Sequence, residues 1–193
     1  MNDYTVKELM IPLSEYATVT VGATLYEAVL ALEKAQLDFD LTRYRHRAIL
    51  ILDEKGNVVG KMSQLDVLHA LEPKYNEMLE QGQFQQRYGL TKKHMKSIMA
   101  QYDLWDTDIS SICRKSGEQP VTKFMHTLDE GEYVDENVTM VEAIHQLVMC
   151  HSQSLMVTRD NKIIGILRLT DVFASIFHTM KECFRKDKSG GVN

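Results

Sequence analysis

One stretch of this chain occurs twice. Gly60-Lys61-Met62-Ser63-Gln64-Leu65-Asp66-Val67 recurs, altered, as Gly165-Ile166-Leu167-Arg168-Leu169-Thr170-Asp171-Val172. In each copy an apolar run, Val58-Val59 or Ile163-Ile164, leads through a glycine toward a helix start. Glycine there permits a bend or a close backbone approach. Ser63-x-x-Asp66 has the form of a capping box. Exposed N–H groups at a helix start attract anions, so a hydroxyl and a carboxylate there can hold a phosphate and a sugar diol. Capping alone would account for one copy. Two copies inside a longer repeat point to a shared role.

The repeat extends to both sides. Val6-Lys7-Glu8-Leu9-Met10 aligns with Val121-Thr122-Lys123-Phe124-Met125, and Thr24-Leu25-Tyr26-Glu27-Ala28 with Thr139-Met140-Val141-Glu142-Ala143, both at an offset of 115. From Gly60 to Gly165 the offset is 105, which gives the first copy ten extra residues near Leu37 to Arg45. Thr24 and Glu27, like Thr139 and Glu142, fit capping boxes ahead of amphipathic helices. Ala48 to Leu52 and Leu155 to Val157 read as strands, each followed by a turn (Asp53 to Asn57, Asp160 to Lys162) into a second strand. Each copy therefore reads strand, helix, strand, strand, helix. A short lead-in helix over residues 4–10 precedes the first. Val172, Phe173, Ile176 and Phe177 are expected to form the last apolar stripe.

Between the copies lies an insert too long to be a bare loop. Leu90, His94, Met95, Ile98, Met99 and Tyr102 carry helical spacing, and Trp105, Ile109, Ile112 and Cys113 suggest a second apolar stretch. The expectation is a helical hairpin packed on the domain, with a partner-binding helix as the alternative. The predicted divisions are 1–72, 73–119 for the insert, 120–180, and a flexible tail over 181–193.

Composition narrows the function classes. A net charge of −5 argues against a broad nucleic-acid footprint. No apolar run is long enough to span a bilayer, and no signal peptide opens the chain. Three cysteines without CxxC spacing suggest a reducing compartment, the cytoplasm. There is no P-loop, nucleophile elbow, HExxH or zinc-ligand spacing, so neither an enzyme nor a metal protein is expected.

With the repeat laid out, a resemblance emerges. Two strand–helix–strand–strand–helix units, each opening with Val-x-x-Leu/Phe-Met and closing with Gly-x-x-x-x-x-Asp, resemble a tandem pair of cystathionine-β-synthase (CBS) domains, the Bateman module. Met10-Ile11-Pro12 is similar to that family's opening motif. The resemblance covers about residues 4–72 and 120–178 and leaves out the insert. It implies an α/β fold of two pseudo-symmetric β-α-β-β-α units, adenine nucleotides in clefts between them, and a homodimer.

The resemblance also implies site residues, carried over only where they match. The closing acids Asp66 and Asp171 would receive ribose hydroxyls. Three residues after the glycine the usual Ser/Thr is Ser63 in the first copy but Arg168 in the second, and both, with Arg47 and Thr170, are expected near the phosphates. Before the closing acid, Thr170 fits the pattern and Leu65 does not. Arg47 stands where a base contacts phosphate, with Ser152 as its counterpart, and His46 and His151 precede them. Each acid comes with a hydroxyl neighbour, Ser63 or Thr170, so both clefts are expected to be able to bind. The implied function is a regulatory module sensing an adenosine-containing ligand and signalling to a partner protein. The alternative is a dimerisation or partner-binding scaffold without a nucleotide. The pattern does not choose among AMP, ADP, ATP and S-adenosylmethionine, and no cofactor is implied.

Overall fold

The computed structural model describes residues 4–38, 44–72, 74, 75, 78, 91–104 and 108–189. Its elements follow the repeat. In the first copy they are β2 (Thr18–Thr20), α1 (Leu25–Asp38), β3 (Ala48–Leu52), β4 (Val58–Ser63) and α2 (Gln64–Ala70), after a short β1 (Ile11–Pro12). The insert contributes α3 (Lys92–Gln101) and α4 (Ile109–Gly117). The second copy gives β5 (Tyr133–Asp135), α5 (Met140–Met149), β6 (Ser154–Arg159), β7 (Lys162–Arg168) and α6 (Leu169–Ser189).

Local chemistry sets the helix starts. At α1 the Thr24 N–H and hydroxyl donate to Glu27 Oε2 at 2.7 and 3.0 Å, and the Glu27 N–H donates to Thr24 Oγ1. The same reciprocal box opens α5, with Thr139 and Glu142. These pairs satisfy backbone donors that a helix start leaves over. Leu25, Ala28 and Leu32 then bury one face of α1, as Met140, Ala143 and Leu147 do in α5.

The chain divides into two compact units. The first comprises Thr18–Glu33 and Arg47–His126. Its sheet has the order β2-β3-β4, with β2 parallel and β4 antiparallel to β3. Ile49, Leu50 and Ile51 are fully buried, as expected of a strand covered on both faces. The second unit comprises Met1–Ala17, Lys34–His46 and Thr127–Asn193. Its sheet has the order β1-β7-β6-β5, and its core gathers Val134, Met140, Leu147, Leu155, Val157 and Leu167.

The opening segments are exchanged. Val6, from the start of the first copy, is buried in the core of the second unit. Its N–H donates to the Val138 carbonyl at 3.0 Å, and Met140 N–H donates to the Tyr4 carbonyl at 2.8 Å. In the first unit the counterparts 115 residues away make the same bonds: Val121 N–H to the Ala23 carbonyl at 3.0 Å, and Leu25 N–H to the Gln119 carbonyl at 2.8 Å. Linear boundaries at 1–72 and 120–180 delimit the repeats in sequence. The compact units each borrow the other repeat's opening.

Three expectations change. The lead-in is a single 3-10 turn, Val6–Glu8, because Ile11 and Pro12 continue as β1 and pair with β7. On α6, Val172 is buried and Ile176 packs on the core, but Phe173 and Phe177 are exposed. The stretch expected to be a flexible tail from 181 stays helical to Ser189.

In the insert, Met78, Ile98 and Leu104 bury together with Tyr75 and Tyr102 against them, a small core of its own. Lys74 Nζ ties the end of α3 by donating to the Tyr102 and Asp103 carbonyls at 2.7 and 2.9 Å. Among the described residues of the insert, α3 and α4 are helical, and Ile109 and Cys113 on α4 face outward. Leu90 and Trp105 lie outside the described residues.

Candidate functional site

The two glycines that anchor the repeat are there for close approach. A Cβ on Gly165 would sit 2.4 Å from the Ile11 carbonyl oxygen, and one on Gly60 2.9 Å from Met125 Sδ and 3.0 Å from the His126 carbonyl oxygen. In each unit the borrowed opening runs across this glycine, by the β1–β7 pairing in one and the Lys61–His126 bridge in the other. Three residues on, each strand ends and a helix begins. Here the two copies part chemically.

In the first unit Ser63 caps α2. Its N–H and hydroxyl both donate to Asp66 Oδ2 at 2.7 Å, and the Asp66 N–H donates to Ser63 Oγ at 3.2 Å. Asp66 is half-buried, and its Oδ1 accepts no hydrogen bond among the described residues. The Arg47 carbonyl accepts from Gln64 N–H at 3.0 Å, so Arg47 flanks this helix start with its side chain exposed. Arg47, Ser63 and Asp66 are thus brought together. α2 has only seven residues, so side chains rather than a long helix carry the chemistry at this point.

In the second unit the same register holds Arg168 and Asp171, which are 5% and 8% exposed. Arg168 Nε donates to Asp171 Oδ2 at 2.5 Å and Nη2 to Oδ1 at 2.7 Å. Such a planar two-point pair engages both carboxylate oxygens. Arg168 Nη1 lies 3.4 Å from Nδ1 of the fully buried His46, whose ring meets Tyr16 edge to face at 4.4 Å. Thr170 stands beside Asp171, half-buried.

Ser152 does not take the position of Arg47. β3 and β6 correspond at an offset of 106: Leu52 pairs with Val58 as Thr158 pairs with Ile163, and Ala48 with Ser63 as Ser154 with Arg168. The counterpart of the Arg47 carbonyl is that of Gln153, which accepts from Leu169 N–H at 3.0 Å. Ser152 corresponds instead to His46. The offset falls from 115 at the helix caps to 106 at these strands and 105 at the glycines. Nine extra residues therefore precede β3, and one lies in the hairpin turn. An alignment anchored on the glycines carries straight past that single residue. The differing turns, Asp53 to Asn57 against Asp160-Asn161, were the signal that could have found Gln153.

Elsewhere the titration shifts are structural. The Arg159 guanidinium donates to Glu136 from Nε and Nη2 and holds that carboxyl below its usual range. Hydrogen bonds from Asn57 lower Asp53 likewise, and those of Thr24 lower Glu27.

Among the described residues, no helix is long and apolar enough to cross a membrane. The family model for the CBS domain matches residues 6–73. No curated protein sequence matches the chain significantly. Solved structures do. CBSX2 in complex with AMP is 17% identical with a TM-score of 0.56, over 92% of this chain and 98% of that one; CBSX2 is a CBS-pair protein from Arabidopsis thaliana. A putative acetoin utilization protein (AcuB) from Vibrio cholerae is 18% identical with a TM-score of 0.56, over 94% and 96%. The CBS domain of a membrane protein from Sphaerobacter thermophilus gives 14%, a TM-score of 0.58, and coverage of 90% and 88%. At these identities the likeness is one of fold, and it is the α/β fold the repeat predicts. The chain carries a CBS domain in its first repeat and has the fold of a tandem CBS-domain pair.

Proposed function

We propose that this protein is a regulatory module that senses an adenosine-containing ligand of the AMP, ADP or ATP class and signals to a partner protein. The observation that carries the reading is the open Oδ1 of Asp66, half-buried next to Ser63 and flanked by Arg47. A carboxylate with a free oxygen accepts a ribose hydroxyl, and an exposed arginine whose backbone meets the same helix start suits phosphate. The AMP in CBSX2 supports the ligand class. The chemistry is binding, with no nucleophile or base assigned.

The test is titration calorimetry of the folded protein with AMP, ADP, ATP and S-adenosylmethionine. Asp66→Asn should weaken binding about tenfold to a hundredfold, the loss expected for a hydrogen bond to a charged group. Absence of heat with all four ligands would leave the scaffold reading.

The exposed stripe Phe173, Phe177, Met180 and Phe184 on α6 favours a further element of the reading, a homodimer. Its steps of four, three and four residues are those of a helix–helix seam. Light scattering at micromolar concentration should show a dimer, and Phe177→Glu should give a monomer. A monomeric wild type would remove this element.

A further inference from the structure

The two repeats carry one acid at one register, yet the acids are differently engaged. Asp66 gives one oxygen to its own cap and keeps the other open. Asp171 gives both oxygens to Arg168 in a buried two-point pair. A sugar diol offers only neutral donors, whereas the guanidinium brings an opposite charge and a two-point fit to the same carboxylate. Displacing Arg168 would also break a buried ion pair, and separating the partners of such a pair is costly.

We propose that Arg168 is a built-in occupant of the second acid. It takes the place a ribose diol would need, so the chain holds one nucleotide, at Asp66, and Arg168 sets that stoichiometry. The position that is Ser63 in the first repeat, a neutral cap that leaves its acid half open, is a cation in the second that closes its acid. This inference rests on the nucleotide reading of Asp66, and the experiment separates the two.

Calorimetry with AMP, ADP and ATP in turn should give one site per wild-type chain. Asp66→Asn, a substitution at a half-buried cap, should weaken that one site about tenfold to a hundredfold and leave no second site at wild-type affinity. Arg168→Ser, which installs the first repeat's residue, should raise the count to two. Asp66→Asn combined with Arg168→Ser should bind one nucleotide more tightly than Asp66→Asn alone, a gain that misfolding cannot produce. Two sites in the wild type, or one site whose affinity Asp66→Asn leaves unchanged, would overturn the proposal even if no Arg168 variant folds. If the wild type binds nothing, the nucleotide reading of Asp66 fails. In that case one new site in Arg168→Ser still supports the occupant role, and none overturns it.

Discussion

At the scale of single residues, the repeat is written in polar side chains that bond to their own backbone. Thr24 with Glu27, Thr139 with Glu142 and Ser63 with Asp66 all close reciprocal boxes. All three are legible in sequence because a capping box is local: two residue types three positions apart decide it. The Arg168–Asp171 pair is just as local, yet the sequence spacing left its meaning open. Only burial shows that the guanidinium closes on the acid rather than reaching solvent. A pH prediction belongs here. Glu27, Asp53 and Glu136 are all held below their ordinary values, so the folded state binds fewer protons than the unfolded chain in mild acid. The stability they contribute is complete above the unfolded values and lost as pH falls through the lowered ones. The denaturation midpoint should therefore be flat near neutrality and decline below the ordinary Glu value of 4.5. Glu136→Gln should make that decline shallower. An unchanged pH profile in Glu136→Gln would show that its pair with Arg159 adds nothing.

At the scale of elements, the hairpins and their glycines decide register. The period of the strands was plain from their apolar runs, and Ala48–Leu52 is found with the predicted bounds. What the alternation could not show is the one-residue difference between the hairpin turns, because a turn residue leaves no trace in the strand pattern. Asp160 and Asn161 both take positive φ, 49° and 60°, in the shorter turn, while Gly56 supplies the positive φ of 81° in the longer one. The aromatic residues of α6 misled for a related reason: helical spacing marks a face, not what covers it. The glycines themselves yield a graded prediction. Gly165→Ala meets a backbone oxygen at 2.4 Å that cannot turn aside, whereas Gly60→Ala meets first the flexible Met125 side chain. Both should destabilise, by about 1–3 kcal/mol as overpacking usually does, with Gly165→Ala the larger. Melting curves of the two variants check the order, and equal losses would argue against the contact as the cause.

At the scale of the whole molecule, the exchange of openings is the feature no local pattern announces. The 115-residue offset told which residues correspond, but not with which repeat each opening packs. Val6 belongs to the first repeat in sequence and to the second unit in its burial. A fully buried valine is worth about 1.5–3 kcal/mol. Val6→Ala should therefore lower hydrogen-exchange protection in β6 and β7 before β3 and β4, and Val121→Ala should do the reverse. If each substitution loosened its own repeat first, the exchange would have no energetic weight.

The exchange also orders events during synthesis. Domains usually fold from the N-terminus as they leave the ribosome. Here Ile11 must wait for its partner Ile166, and the first unit waits for Val121 and His126. At ordinary elongation rates the opening segment is without its strand for on the order of ten seconds. Through that interval the nascent chain holds an apolar segment that its own repeat has no place for.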